Sequence, residues 1–263
     1  MKHLFVLFAC ICFAHSNNLF AQNVAGSVEV GVYSAYEFGT TEDKYKDSYK
    51  NSGYSVGLVS EYHFNSSIAI LGSISYEVLK LYREESILDD YPYTLPDGSI
   101  LFTPMMYMHK LDVPQLAVSV LGKASILNTN ISILTGFKLG ILSAGNENES
   151  MSLASNRDKR VSFPPLDSIP DVFPSRQAVR YSDDSRTTLI IYDGEIYQRK
   201  SLQLGLTAGL QYDLPIYTLD EAAQKFVTLT PSVLFNYNLT TYSDYEKLRA
   251  WNVSAGFMLK VGL

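Results

Sequence analysis

The last thirteen residues, WNVSAGFMLKVGL (251–263), alternate without a break. Trp251, Val253, Ala255, Phe257, Leu259, Val261 and Leu263 are apolar, and the residues between them are mostly small or polar. Period-two alternation describes a β-strand with two unlike faces. Here the apolar face persists to Leu263, with no polar tail. Such a strand needs apolar surroundings on one face and a partner along each edge. A closed barrel in a membrane supplies both, because lipid offers no hydrogen bonds to a free edge. The closing strand is then expected to pair antiparallel with the first.

The same alternation recurs along the chain. Strand one is expected from Asn23 to Phe38, with Val28, Val30, Val32, Tyr36 and Phe38 on the greasy side. Strand two covers Gly53–Phe64, and Asn65-Ser66-Ser67 turns it into strand three, Ile68 to Tyr82. Strand four covers Tyr107–Ile126 and strand five Ile131–Ser143, joined by Asn128-Thr129-Asn130. Strand six ends at Leu214, strand seven runs Lys225–Thr240, and the closing stretch is the eighth. Residues 39–52, 83–106, 144–194 and 241–248 read as long or polar connections. Within them, Pro96-Asp97-Gly98 and Asp193-Gly194 have hairpin-turn chemistry. The centre of the longest, Met151 to Ser185, is rich in Ser, Asp, Arg and Pro and is expected to be poorly ordered. Long and short connections therefore alternate. This predicts an all-β fold: an eight-stranded antiparallel up-and-down transmembrane β-barrel with long extracellular loops and short periplasmic turns. A soluble sandwich gives no reason for that alternation of connections.

Met1-Lys2-His3, then an apolar run from Leu4 to Ala14, then small and polar residues, have the layout of a secretory signal peptide. Cleavage is expected after Ser16, Ala21 or Gln22. The third choice divides the chain into a signal, 1–22, and a barrel domain, 23–263. Both cysteines, Cys10 and Cys12, fall in the signal, so the remainder has no disulfide and no thiolate chemistry. Leu7-Phe8-Ala9-Cys10 is a poor lipidation site. Removing 1–22 takes away one lysine and no acid, which moves the formal charge from −6 to −7. An acidic chain of this kind is not expected to bind nucleic acid. After the signal no run of about 18 apolar residues occurs, which excludes a helical membrane protein.

Three features carry a resemblance. The alternating C-terminus resembles the signal by which bacterial outer-membrane barrels address their insertion machinery, with Leu263 where an aromatic residue is usual. Leu19-Phe20-Ala21-Gln22 resembles signal-peptide endings of Bacteroidota. Lys110-Leu111-Asp112-Val113-Pro114, within KLDVPQLAVSV, resembles the L-E-I-P-L-L stretch of the Bacteroidota outer-membrane β-barrel family, to which PorT-like proteins belong; Gln115 departs from it. The resemblance implies a small outer-membrane barrel reached by export. It also implies, as an alternative role, an accessory part in type IX secretion.

Chemistry-bearing residues are few. Beyond the signal only His63 and His109 remain, expected at opposite ends of the barrel and too far apart to share a metal. His109 with Asp112 or a nearby serine could serve a lipid-modifying enzyme at the outer rim; the plainer reading is a rim histidine facing water or a neighbouring strand. No nucleophile elbow, phosphate loop or metal-ligand spacing occurs. No catalytic residue, cofactor or metal is therefore expected. Asp89-Asp90 and Asp183-Asp184 could attract divalent cations, or could be solvated acids. Asp167-Ser168-Ile169 matches a short O-glycosylation pattern that chance also produces.

The inward face is the strongest constellation. Glu29, Glu61 and Glu77 opposite Lys138, Arg199 and Lys260 would fill an eight-stranded lumen with paired charge. A plugged lumen and a small ion-conducting pore are the two readings of it. The expected role is non-enzymatic, with extracellular loops for binding, adhesion or envelope organisation. Expected partners are outer-membrane lipid or lipopolysaccharide, the barrel-insertion machinery, and an extracellular ligand or envelope component.

Overall fold

Every stretch of alternation becomes a strand, and the strands close into a ring. The computed structural model describes residues 26–42, 48–94, 100–126, 129–153, 162–163, 180–182, 184, 186–220, 225–244 and 247–263, without the side chains of 42, 48, 87–94 and 100–104. The strands are β1 (Val28–Glu42), β2 (Ser48–His63), β3 (Ile68–Thr94), β4 (Ile100–Ser125), β5 (Ile131–Leu142), β6 (Asn146–Leu153), β7 (Arg180–Tyr181), β8 (Thr188–Glu195), β9 (Leu202–Tyr212), β10 (Leu214–Asp220), β11 (Lys225–Asn238) and β12 (Arg249–Gly262). Eight of them form the ring β1-β2-β3-β4-β5-β9-β11-β12. The ring closes where β1 meets β12 antiparallel, from Glu29↔Gly262 to Glu42↔Arg249.

Register and exposure define a membrane belt. Outward residues such as Val32, Leu58, Ile74, Val120, Phe137, Leu210, Val233 and Phe257 are exposed. Their inward neighbours are buried and largely polar. That is the reverse of a soluble domain, and it fits lipid outside and a filled lumen inside. The outer boundary of the belt is sharp. Tyr54, Val78 and Pro114 lie in one cross-strand row; the next outward row is Ser52, Lys80 and Asp112, and the one beyond it Lys50, Tyr82 and Lys110.

Beyond that boundary strand pairing continues. β3 and β4 stay paired up to Thr94↔Ile100, so 83–106 is an extended hairpin rather than a loop. Above the belt no solvent demands a greasy face, so the alternation that marks membrane strands fades while the hydrogen-bonded ladder persists. For the same reason β6 and β8 replace much of the expected 144–194 break. β6 pairs with the upper half of β4, from Met105↔Leu153 to Asp112↔Asn146. β8 pairs with β6, and Asp193 and Gly194 lie inside that ladder opposite Asn148 and Glu147. The expected turn at Asp193-Gly194 is therefore absent; Gly194 does not have positive φ. A small apolar cluster of Leu153, Phe163 and Leu189 steadies this tower. The Pro96-Asp97-Gly98 turn, Asp167-Ser168-Ile169 and most of the 151–185 stretch lie outside the described residues.

At the other end the connections are tight. Asn65 caps its turn by accepting from the backbone N–H of Ser67 and of Ile68, both at 2.8 Å. The turn expected over 215–224 is shorter than that, because β10 continues the strand and pairs with β11 from Leu214↔Leu229 to Asp220↔Lys225. The polar stretch 241–248 also departs from expectation. It carries Tyr242 and Leu248, which are 2% and 0% exposed and fold over the mouth of the ring.

Candidate functional site

The lumen is filled in three layers. The lowest starts from a register conflict: Glu29 on β1 and Glu61 on β2 are direct cross-strand partners. Like charges placed opposite repel, and burial strengthens the repulsion. Lys260 of β12 resolves it. Its Nζ lies 2.9 Å from Glu29 Oε2 and donates to Glu61 Oε2 at 2.6 Å. A second ammonium, Lys123 of β4, donates to Glu61 Oε1, and at 2.6 Å to Asp213 Oδ2. Asp213, at the break between β9 and β10, completes the ring of charge through Lys260 Nζ at 3.1 Å and the hydroxyl of Thr230 at 2.7 Å. His63 Nε2 faces the same carboxylates, 3.3 Å from Glu61 Oε1 and 3.8 Å from Glu29 Oε1. Buried charges are tolerated when each has several partners, and here nearly every one does.

The middle layer is smaller. Lys138 of β5 pairs with Glu77 of β3 at 2.6 Å. Gln115 donates to Glu77 at 2.6 Å, and the Ser75 hydroxyl donates at 3.1 Å. Glu37 accepts from the Asn252 amide. Around them a cavity of about 50 Å³ is lined by Ser55, Thr207 and Asn236 and by a buried apolar cluster of Val59, Leu71, Leu121, Leu134 and Met258.

The top layer is apolar. Tyr49, Leu79, Leu81, Leu111, Val113 and Leu142 point inward from strands, and Ile196, Tyr242 and Leu248 descend from connections. A polar thread crosses its edge. Tyr49 Oη and His109 Nδ1 are 2.8 Å apart, His109 Nε2 and Glu147 Oε1 are 3.0 Å apart, and Glu147 Oε2 accepts from the Tyr197 N–H at 2.9 Å.

The expected charge network thus divides. Glu29, Glu61 and Lys260 meet in the lowest layer, and Glu77 and Lys138 meet in the middle one. Arg199 joins neither. It lies in the connection before β9, where Gln198 adopts φ 48° and the alternation stops, and its guanidinium donates to Ser143 O at 2.6 Å. Of the two plain readings of His109, water or a neighbouring strand, the second holds: it is wholly buried and meets Glu147 of β6, the strand paired beside β4. It cannot act with Asp112, because three residues along a strand place the two on opposite faces. Sequence reading missed Lys123, Asp213 and the His109–Glu147 contact. Lys123 shares the parity of Ala117, Ser119 and Leu121, a usable signal. Asp213 has no such signal because it sits at a break between strands, and Glu147 has none because β6 lies above the belt, where the alternation fades. Asp89 and Asp90 have no described side chains and Asp183 is not described. On the outer surface, at the foot of the tower, a hollow of about 340 Å³ is lined by Lys110, Asp112, Asn146, Glu147, Asn148, Asp193 and Gly194.

Comparison with known proteins gives one family. The profile of the outer membrane protein beta-barrel domain matches residues 20–244. No functionally curated protein matches the chain. Among solved structures, the chain is similar to Ail, the attachment invasion locus protein of Yersinia pestis, at 12% identity over 90% of this chain and 99% of that one, with a TM-score of 0.40. It is similar to neisserial surface protein A at 12% identity, 88% and 96% coverage and a TM-score of 0.35. It is similar to the outer membrane protease OmpT of Escherichia coli at 9% identity, 94% and 100% coverage and a TM-score of 0.33.

Proposed function

The chain belongs to the outer membrane protein beta-barrel domain family, and on that premise we propose that it is a non-enzymatic surface-display barrel. Its lumen is closed by its own side chains, and its extracellular tower is the working part. One observation carries this reading: buried side chains crowd the lumen in layers around a cavity of about 50 Å³, while β3, β4, β6 and β8 rise past the belt as paired strands. A pore needs an open path, and the buried apolar residues of the top layer, among them Leu81, Leu111, Val113 and Leu248, argue against one. A rim enzyme needs a reachable reacting group, yet Tyr49, His109 and Glu147 are at most 2% exposed. The hollow at the foot of the tower offers lysine, carboxylate and amide groups to an extracellular ligand. No observation favours an accessory role in type IX secretion over this one. Placement among the Bacteroidota barrels rests on the KLDVPQLAVSV run and the Ala21-Gln22 ending. Export is proposed to remove residues 1–22, and the intact mass of the outer-membrane protein tests that cut.

Residues 23–263 contain no cysteine, which makes a clean labelling experiment possible. Asp184→Cys on intact cells should react with a membrane-impermeant maleimide, and cells in which residues 147–194 are replaced by a short Gly-Ser turn should lose surface binding while keeping a heat-modifiable barrel. Labelling only after permeabilisation, or large stable currents from the wild-type protein in planar bilayers, would reject the reading.

A further inference from the structure

The lowest lumen layer has an imbalance. Three carboxylates, Glu29, Glu61 and Asp213, face two ammonium groups, Lys123 and Lys260. Carboxylates outnumber ammonium groups there, so the layer carries a negative excess that favours added positive charge. The imidazole of His63 stands beside the excess, and its Nε2 is buried and makes no hydrogen bond. The residue is 2% exposed. A buried ring nitrogen without a hydrogen-bond partner, aimed at two carboxylate oxygens, asks for a cation between them.

The geometry points to a divalent transition-metal site, zinc in class, held by His63 Nε2, Glu61 Oε1 and Glu29 Oε1. All three atoms lie within 4.8 Å of one another. Ligands held tetrahedrally at about 2.0–2.1 Å from zinc are about 3.3–3.4 Å apart. His63 Nε2 is 3.3 Å from Glu61 Oε1 and 3.8 Å from Glu29 Oε1, so small side-chain shifts suffice. The lysines do not occupy the whole of these carboxylates. Lys260 holds Oε2 of both glutamates and leaves each Oε1 facing the imidazole. Lys123 shares Glu61 Oε1 but also holds Asp213 Oδ2 at 2.6 Å, a partner it keeps when that oxygen turns to the ion. One imidazole and two carboxylates select a borderline metal such as zinc over magnesium or calcium, which prefer all-oxygen sites. A water completes the fourth position. The Glu29 side chain is 11% exposed, the most open of the three, so it marks the side from which the ion arrives. Glu61 and His63, two residues apart on β2, share a face by sequence alone, but only strand pairing sets Glu29 beside them.

The test uses the folded full barrel in detergent, stripped with chelator and titrated with zinc chloride. Wild-type protein should bind one equivalent and show a raised unfolding midpoint. Loss of an outer-shell partner alone weakens metal binding about ten- to a hundredfold, so loss of a ligand in His63→Asn should weaken it by about a hundredfold or more. Glu29→Gln should also weaken it, and magnesium should not compete. The heat-dependent gel shift checks that each variant is folded; if His63→Asn does not fold, His63→Gln takes its place. X-ray absorption of the zinc form should show a light-atom shell of nitrogen and oxygen with imidazole scattering. Absence of binding by the wild type overturns the site. So does equal binding by folded wild type and folded His63 variants, which would mean zinc held at the surface.

Discussion

The two ends of the lumen solve one problem in opposite ways. Both must fill a tube of the same eight strands. The periplasmic end does it with Glu29, Glu61, Lys123, Asp213 and Lys260; the extracellular end does it with Leu79, Leu81, Leu111, Val113, Leu248 and their neighbours. The charged layer draws on four residues inside strands and on Asp213 at a strand break. The apolar layer adds Ile196, Tyr242 and Leu248 from connections. The difference is one of tolerance. A charged layer fixes register, because a slip of one residue turns every charge into lipid. An apolar layer fixes volume only, and its loop-borne members can leave without breaking a ladder.

The contrast has measurable edges. Glu61 accepts from both lysines and is fully buried, so Glu61→Ala takes a carboxylate partner from each, leaving Lys123 on Asp213 and Lys260 on Glu29 and Asp213 around a buried gap. Breaking a buried pair from one side costs roughly 3–5 kcal/mol. Urea unfolding in detergent should show a loss of that order, the largest of this series. Leu248→Ala opens a gap beneath a loop that can settle into it. The cost should fall near the lower end of the core range, about 2 kcal/mol, with barrel formation intact. If Leu248→Ala costs as much as Glu61→Ala, the two ends are equally rigid and the contrast fails. The smallest effect is a coupling. Glu29→Ala and Lys260→Ala, singly and together, should give an interaction energy of about 1–2 kcal/mol, as expected for side chains in one network. Strict additivity would remove Glu29 from the charged layer.

Much of this is legible in the sequence. Alternation marks the greasy faces of β1, β2, β5, β9 and β12, because two solvents act on opposite sides of one strand. It also marks the parity of Glu29, Glu61, Glu77, Lys138 and Lys260 as inward. Most of what is not legible has one cause: past the belt, water bathes the outer face and the code lapses. That hid the upper halves of β3 and β4, all of β6, and the inward aim of His109. Arg199 departs from the inward face because the chain turns at Gln198, so strand parity does not extend through it. Asp213 was invisible because it sits at a break. The division of the charges into two layers depends on register between strands far apart in sequence, which no local pattern carries.

The long β4 strand has a mechanical consequence. Residues 115–125 are laddered to β5 and residues 105–112 to β6, so one continuous strand belongs to both ring and tower. The stretch from Ile100 to Asp112 reaches roughly 40 Å at about 3.3 Å per residue. A pull at the tower tip is therefore not taken up by a slack tether. It loads the β3–β4 and β4–β6 ladders lengthwise, in shear, with many backbone bonds sharing the strain at once. The ring anchors the lever and the outer leaflet braces its foot. A ligand held at the tip would be held stiffly, at a fixed angle to the cell surface, and tension on it would pass directly into the barrel wall.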